Sequence, residues 1–280
     1  VTAPILVTGG GGMLAHALGN LFGDEVELAT RDQLDITDSA AVADAVLGRT
    51  AVINTAALTA VDYAEGDEER AWVINVDGAA NVARACADEG ARMIHLSTDY
   101  VFDGRATSPY AEDAPRNPQS AYGRSKKAGE DAVRTASSNG AMIVRTAWLY
   151  GALGSSFVAT MLAKARAGDA VNVVTDQVGQ PTWTADVAER IRHLLDAPPG
   201  VYHATNSGSC SWWDLAVAIY DSVGAPTTLV GQTTSDEFQR PAPRPAYSVL
   251  ADGAPELLGI PPMRPWRDAL AEALRVDFDV

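Results

Sequence analysis

The sequence predicts an α/β fold: a Rossmann-type doubly wound parallel sheet with a smaller mixed α/β substrate-binding region at the C-terminal end. Three observations carry this. Short, near-continuous apolar runs alternate with helical patterns through the first 150 residues. Such runs suit strands buried on both faces, and the intervening helices supply the crossovers of a parallel sheet. A glycine-rich turn joins the first run to the first helix, and after Tyr150 the alternation loosens.

Taken in order, Ile5-Leu-Val-Thr8 is a buried strand, Gly9-Gly-Gly-Gly12 the turn, and Met13 to Phe22 a helix. Glu25 to Thr30 is a second strand, Ala41 to Leu47 helical, and Ala51 to Thr55 a third strand. One long helix over Glu68 to Glu89 leads into a strand at Arg92 to Thr98. Ser120 to Ser138 is helical and Ala141 to Trp148 a strand. Beyond these come helices at Phe157 to Ala167, Thr184 to Leu195, Trp212 to Val223 and Trp266 to Leu274. Short strands are expected at Val171 to Thr175 and Val201 to Ala204. Arg240-Pro-Ala-Pro-Arg-Pro245 is an extended loop, because prolines at that density block helix and sheet ladders. Residues 1–150 are expected to form the dinucleotide-binding domain, with 179–204 packing back on it. Residues 151–178 and 205–280 then form the substrate-binding region.

Composition narrows the function. A net charge of −15 repels nucleic acid and anionic membrane surfaces, so neither is an expected partner. No apolar stretch is long enough to span a bilayer, and Val1-Thr-Ala-Pro-Ile-Leu-Val7 lacks the basic start of a signal peptide. Cys86 and Cys210 form no CxxC or Cys/His cluster, which fits a reducing cytoplasm and no zinc site. The expected location is cytoplasmic, no metal is expected, and the chain is compatible with a monomer or a homodimer.

Tyr122-Gly-Arg-Ser-Lys126 carries the chemistry. A tyrosine and a lysine four apart share one helix face. A phenol titrates near 10, and an ammonium held close brings that value down. Thr98, ending the strand before it, offers a hydroxyl to the same substrate oxygen. Together the three make a proton donor for a carbonyl being reduced. The competing reading is an exposed tyrosine and a solvated lysine.

The glycine turn supplies the other half. Gly9 and Gly12 let backbone approach a pyrophosphate, and the helix start at Met13 and Leu14 offers free N–H groups and positive dipole. A turn that merely needs glycine for positive φ is the alternative. NAD-preferring folds carry an acidic residue after the second strand. Here Thr30-Arg31 stands there, followed by Asp32, which points to NADPH and leaves room for NADH.

With Asn54-Thr-Ala-Ala57, Ser97-Thr-Asp-Tyr-Val-Phe-Asp-Gly104, Arg145-Thr-Ala-Trp148, Asp176-Gln-Val-Gly-Gln-Pro-Thr182, Gly200-Val-Tyr-His203 and Arg244-Pro-Ala-Tyr-Ser248 in this order, the chain resembles the extended short-chain dehydrogenase/reductases. The likeness runs over nearly the whole chain and is strongest to the members that finish dTDP-L-rhamnose. It implies an oxidoreductase that uses NADPH to reduce the C4 ketone of dTDP-4-dehydro-L-rhamnose. Tyr122 is then the general acid, Lys126 holds the nicotinamide ribose, and Thr98 completes the triad. Asp99 and Trp148 contact the sugar, Asp35 and Ile36 lie against the adenine, and Ala56, Ala57 and Thr59 line the cofactor cleft. Trp148 also reads as a plain core residue at a strand end.

Arg240 and Arg244, in the proline-stiffened loop, read as a diphosphate clamp or as ordinary surface arginines. Asp62, Glu65, Asp67, Glu68 and Glu69 read as a helix start with a solvated face. The four histidines and Trp183, Trp212 and Trp213 read as structural, with one tryptophan available to the substrate pocket. Ala15 replaces the third glycine of the turn, and Asp252 has no assigned role. Three other functions stay open. A 4,6-dehydratase would resemble Thr-Asp-Glu where this chain has Thr98-Asp99-Tyr100. A 4-epimerase on this fold is the second. The third is a non-catalytic NADP-binding subunit, such as the relatives that regulate methionine adenosyltransferase.

Overall fold

The computed structural model describes residues 4–137 and 140–280. Val1 to Ala3 and Ser138, the expected helix end, lie outside the described residues. In the first half β1 (Ile5–Thr8) runs into α1 (Met13–Phe22), then β2 (Val26–Ala29), α2 (Ser39–Val46) and β3 (Ala51–Asn54). Two short helices, α3 (Val61–Gly66) and α4 (Glu68–Trp72), lead to α5 (Ala79–Glu89), β4 (Arg92–Thr98), α6 (Ala121–Ala136) and β5 (Met142–Thr146).

The second half adds β6 (Leu149–Tyr150), α7 (Phe157–Ala167), β7 (Val171–Val174), β8 (Val178–Gly179), β9 (Thr182–Trp183), α8 (Thr184–Leu194) and β10 (Gly200–His203). It ends with β11 (Cys210–Ser211), α9 (Trp212–Ser222), β12 (Val230–Thr233), α10 (Ala254–Leu258) and α11 (Trp266–Asp277).

Six strands form one sheet in the order β10-β5-β4-β3-β1-β2, every pair parallel. The chain leaves β1 toward β2 on one side and builds outward from β3 on the other. That reversal opens a crevice at the carboxyl ends of the strands, where such sheets bind ligands. The physical reason for the sheet is burial. Every residue of β1, β3 and β5 is buried, so these runs find partners only between two helical layers.

One layer packs α1 and α8 on the sheet through Leu14, Leu18, Val187, Ile191 and Leu194. The other packs α2 and α5 through Val42, Val46, Val82 and Cys86. A third core, with Leu162, Leu215, Ile219, Trp266 and Leu270, joins α7, α9 and α11.

The expected helix over Glu68 to Glu89 is interrupted. Val73–Gly78 winds as a π-helix between α4 and α5. Its cause lies in α6, which crosses so closely that a Cβ on Gly129 would lie 2.2 Å from the Asn75 carbonyl oxygen. The wider turn buries the Asn75 side chain, which accepts from Leu58 N at 2.8 Å and donates to Ser125 Oγ at 2.9 Å. The two-residue strands β6, β8, β9 and β11 escape sequence periodicity because they are shorter than any pattern.

Candidate active site

The site begins at Gly9. Its φ of 73° is open to glycine, and a Cβ there would lie 2.7 Å from Ala56 N, so the turn hugs the end of β3. Gly12 is the N-cap of α1 and provides no side-chain cap, which leaves the first N–H groups of that helix free for an anion. A cleft of about 790 Å³ runs from this turn along the strand ends. Gly9, Gly12, Met13, Leu14, Arg31, Asp35, Ile36, Ala56, Ala57 and Thr59 all line it, and so do Thr98, Asp99, Tyr122, Lys126 and Trp148. A glycine cradle and an uncapped helix start on a cleft of this volume fit a dinucleotide.

Into the same cleft α6 presents Tyr122 and Lys126. Ser120 Oγ accepts from Gly123 N at 3.1 Å, and Glu65 of α3 accepts from Ala121 N at 2.7 Å, so the helix start is fixed from two sides. Tyr100 meets the Tyr122 ring edge-on, with centroids 5.6 Å apart. Lys126 is buried and its Nζ donates to the Leu96 carbonyl at 2.7 Å. Burial lowers its pKa to about 8, with Glu130 pulling the other way.

Tyr122 departs from the sequence expectation. Its pKa is raised well above the ordinary phenol value, chiefly by burial and further by the Asp99 carboxylate, while hydrogen bonding to Thr98 opposes. The lysine does not bring it down, because its ammonium is directed at Leu96.

Asp99 is buried, accepts from Thr98 Oγ1 at 2.9 Å, and leaves Oδ2 without a partner among the described residues. Burial raises its pKa to about 6, opposed by Ser248 and Thr98.

Beneath the cleft lies an ionic platform. Arg145 of β5 donates from Nε and Nη2 to Glu130 of α6, both at 2.8 Å, and both side chains are buried. Ser97 Oγ donates to the same carboxylate at 2.6 Å, and Arg116 Nη1 at 3.0 Å. Glu130 thus ties together the strand end that carries Thr98, the strand that leads to Trp148, and the helix of Lys126.

Trp148 adopts φ 45°, one of two non-glycine residues with positive φ among those described, and stacks on Trp212 with centroids 3.4 Å apart. Its indole joins the end of β5 to α9, and both tryptophans line the cleft. A backbone held in a sparsely populated region marks a place where the surroundings over-determine it.

Arg240 and Arg244 do not join this group. Arg244 Nη2 pairs with Asp62 at 2.9 Å, Arg240 Nη1 lies 3.8 Å from the same carboxylate, and Ala242 N donates to it at 3.2 Å. Arg244 lines a smaller cavity of about 230 Å³, which shares Tyr100 with the cleft. The expected solvated acidic face is likewise occupied. Asp62 holds the proline loop, Glu65 caps α6, Asp67 accepts from Arg70 N, and Glu68 pairs with Arg124 at 2.9 Å. Asp252, without a role in sequence, pairs with buried Arg190 at 2.9 Å.

Sequence reasoning missed Arg70 and the platform, and left Trp212 among the packing residues. Arg70 lies on α4, far from any motif, and no spacing marks it. Glu130 stands four residues after Lys126, on the same helix face, which is the one available signal. Among the described residues no cluster of His, Cys, Asp or Glu could hold a metal, and no helix is long and apolar enough to cross a membrane.

The sheet order, the glycine turn and the cleft at the strand ends define a Rossmann-type dinucleotide-binding protein. Residues 3–277 match the family described as the RmlD substrate binding domain, and the chain belongs to that family. The dTDP-4-dehydrorhamnose reductase of Streptomyces griseus is 46% identical over 279 residues, which cover 96% of this chain and 92% of the relative. A probable dTDP-4,6-dihydroxy-2-methyloxan-3-one 4-ketoreductase of Streptomyces antibioticus is 46% identical over 276 residues, covering 96% and 93%. The crystal structure of the Bacillus anthracis dTDP-4-dehydrorhamnose reductase in complex with NADP superposes with a TM-score of 0.94 at 35% identity, covering 98% of this chain and 99% of that one.

Proposed function

We propose that this protein reduces the C4 ketone of dTDP-4-dehydro-L-rhamnose to dTDP-L-rhamnose with NADPH. The observation that carries the reading is a single cleft lined both by the uncapped start of α1 and by Thr98, Tyr122 and Lys126. NADPH, when bound, supplies the hydride. Gly9, Gly12, Met13 and Leu14 would hold its pyrophosphate, Asp35 and Ile36 its adenosine end, and Lys126 its nicotinamide ribose. Residues 1–150 with 179–204 form the cofactor half, and the remainder of the chain shapes the sugar-nucleotide side.

Tyr122 does the proton work. Burial keeps its phenol protonated at neutral pH, which a donor to a developing alkoxide requires. Thr98 shares that oxygen by rotating its hydroxyl away from Asp99, and the pair stabilises charge only as it develops. Lys126, with a pKa of about 8, is mostly charged at neutral pH, and its ammonium is held by the Leu96 carbonyl rather than aimed at the phenol. Asp99 Oδ2, buried and unpartnered among the described residues, accepts a sugar hydroxyl. Trp148, stacked on Trp212, supplies an apolar wall for the sugar ring. A small-molecule nucleotide sugar is therefore the partner, and the two free buried cysteines fit the reducing cytoplasm.

The test is oxidation of NADPH in the presence of dTDP-4-dehydrorhamnose, followed at the reduced-nicotinamide absorbance band. Wild type turns over, and Tyr122→Phe loses about 10²–10⁴-fold in rate while still binding NADPH. No oxidation by folded wild-type protein overturns the reductase reading, and full activity in the phenylalanine variant removes Tyr122 from its role.

A further inference from the structure

Two arginines from different elements meet the adenosine end of the cleft. Arg31 follows β2, Arg70 lies on α4, and both line the cleft beside Asp35 and Ile36. The Asp35 carboxyl is held below its usual range chiefly by hydrogen bonds from Thr37, and it also feels the positive charges of Arg31 and Arg70. The chain carries 36 acidic against 21 basic residues, yet neither arginine has a carboxylate within salt-bridge distance among the described residues. The nearby acids are engaged elsewhere. Asp35 Oδ1 accepts from Thr37 N at 2.9 Å and Thr37 Oγ1 at 2.8 Å. Asp67 Oδ1 accepts from the Arg70 backbone N, and Glu68 pairs with Arg124. Asp32, the acid that could have bound a ribose 2′-hydroxyl, does not line the cleft.

We propose that Arg70 completes a two-arginine clamp with Arg31 for the 2′-phosphate of NADPH and is the residue that sets preference for NADPH over NADH. The proposal rests on the cofactor reading above. A phosphate monoester carries close to two negative charges, and guanidinium forks are strong partners for its oxygens. A 2′-hydroxyl offers such a pair nothing to neutralise. The clamp also accounts for the Asp35 charge: with two cations beside it, that carboxylate does not repel the phosphate. Either arginine alone would leave the Asp35 charge and a dianion to share a single cation.

The experiment measures binding to the ligand-free protein by calorimetry, with adenosine 2′,5′-bisphosphate and 5′-AMP as probes and NADP⁺ and NAD⁺ as full-length controls. Wild type is expected to favour the 2′-phosphorylated member of each pair. Arg70→Gln is expected to weaken that member about tenfold, the scale of one charge-assisted contact, and to leave 5′-AMP and NAD⁺ unchanged. Arg31→Gln behaves alike, and the preference falls as salt is raised. Both side chains are exposed, so the variants fold. An unchanged bisphosphate-to-AMP ratio in Arg70→Gln overturns the clamp while the cofactor reading stands. Equal loss of both probes also overturns it, by showing that Arg70 serves a phosphate common to the two. If folded wild-type protein binds none of the four ligands, the cofactor reading falls, and the clamp with it.

Discussion

Replacing Asp99 by asparagine should make the protein more stable and less active. The carboxyl is 2% exposed, and burial lifts its pKa from 3.8 to about 6. A raised carboxylate means that the folded state holds its proton more tightly than the unfolded chain. The cost of ionising it in place is absent only well below pH 3.8, where both states are protonated, and is still small at about pH 4. It grows as pH rises and is fully present above about pH 6. A shift of roughly 2 units at 1.36 kcal/mol each sets that cost at about 3 kcal/mol.

Asparagine removes the charge and keeps Oδ1 to accept from Thr98. Its amide also lies beside the buried Ser248 hydroxyl, which opposes the shift of the carboxyl. Part of the gain goes to an amide that is imperfectly satisfied, so the net expectation at pH 7.5 is about 1–3 kcal/mol. That corresponds to ~2–4 °C in Tm per kcal/mol for a chain of this size. The assay is urea and thermal unfolding of wild type and variant, without ligand, at pH 4 and pH 7.5. The gain should be small at the lower pH, about a fifth of its full size, and full at the higher. Activity should move the other way: KM for the nucleotide sugar rises while the Kd of NADPH holds. A variant that is less stable at pH 7.5, or a gain equal at both pH values, refutes the argument that burial of this charge is the source.

Two further perturbations address the ends of the same cleft. Gly9→Ala puts a methyl 2.7 Å from Ala56 N at a φ of 73°, so it should cost on the order of 1–3 kcal/mol in stability and weaken NADPH binding, measured by urea unfolding and fluorescence titration. Arg145→Ala leaves Glu130 buried with half its partners and should cost about 3–5 kcal/mol, whereas Arg145→Met paired with Glu130→Leu should recover much of it; equal loss in the single and double variants would show that packing, not charge, holds that site.

What was legible in sequence was local. The glycine turn, the strand runs and the Tyr122/Lys126 spacing each fit within a few residues, and the fold confirms the sheet they imply. What was illegible depends on chain segments far apart. Glu130 finds Arg145 across two elements, Trp212 reaches Trp148 from another core, and Arg70 turns into the cleft from a helix that no motif announces. The π-turn at Val73–Gly78 follows from the approach of Gly129, which no propensity of residues 68–89 encodes. The direction of the Tyr122 shift was misread for a related reason. Spacing shows that a lysine is near, but burial decides which charge state is favoured, and burial is a property of the folded chain.

The arrangement of charge explains how a chain of net −15 can take anionic ligands. Most of its cations are spent internally. Arg145 is held by Glu130, Arg190 by Asp252, Arg124 by Glu68 and Arg244 by Asp62. Arg31, Arg70 and Lys126 are different: all three line the cleft, and among the described residues none has a carboxylate within salt-bridge distance. The acids beside them are weakened as competitors, since Asp35 is hydrogen-bonded within its own turn and burial pushes Asp99 toward protonation. Exposed charges beyond about 10 Å are screened at ordinary ionic strength, so the outer negative surface contributes little inside the cleft. There the local balance is positive. A polyanion must face the whole surface, whereas a dinucleotide meets three cations that have no carboxylate partner among the described residues, and a free helix start.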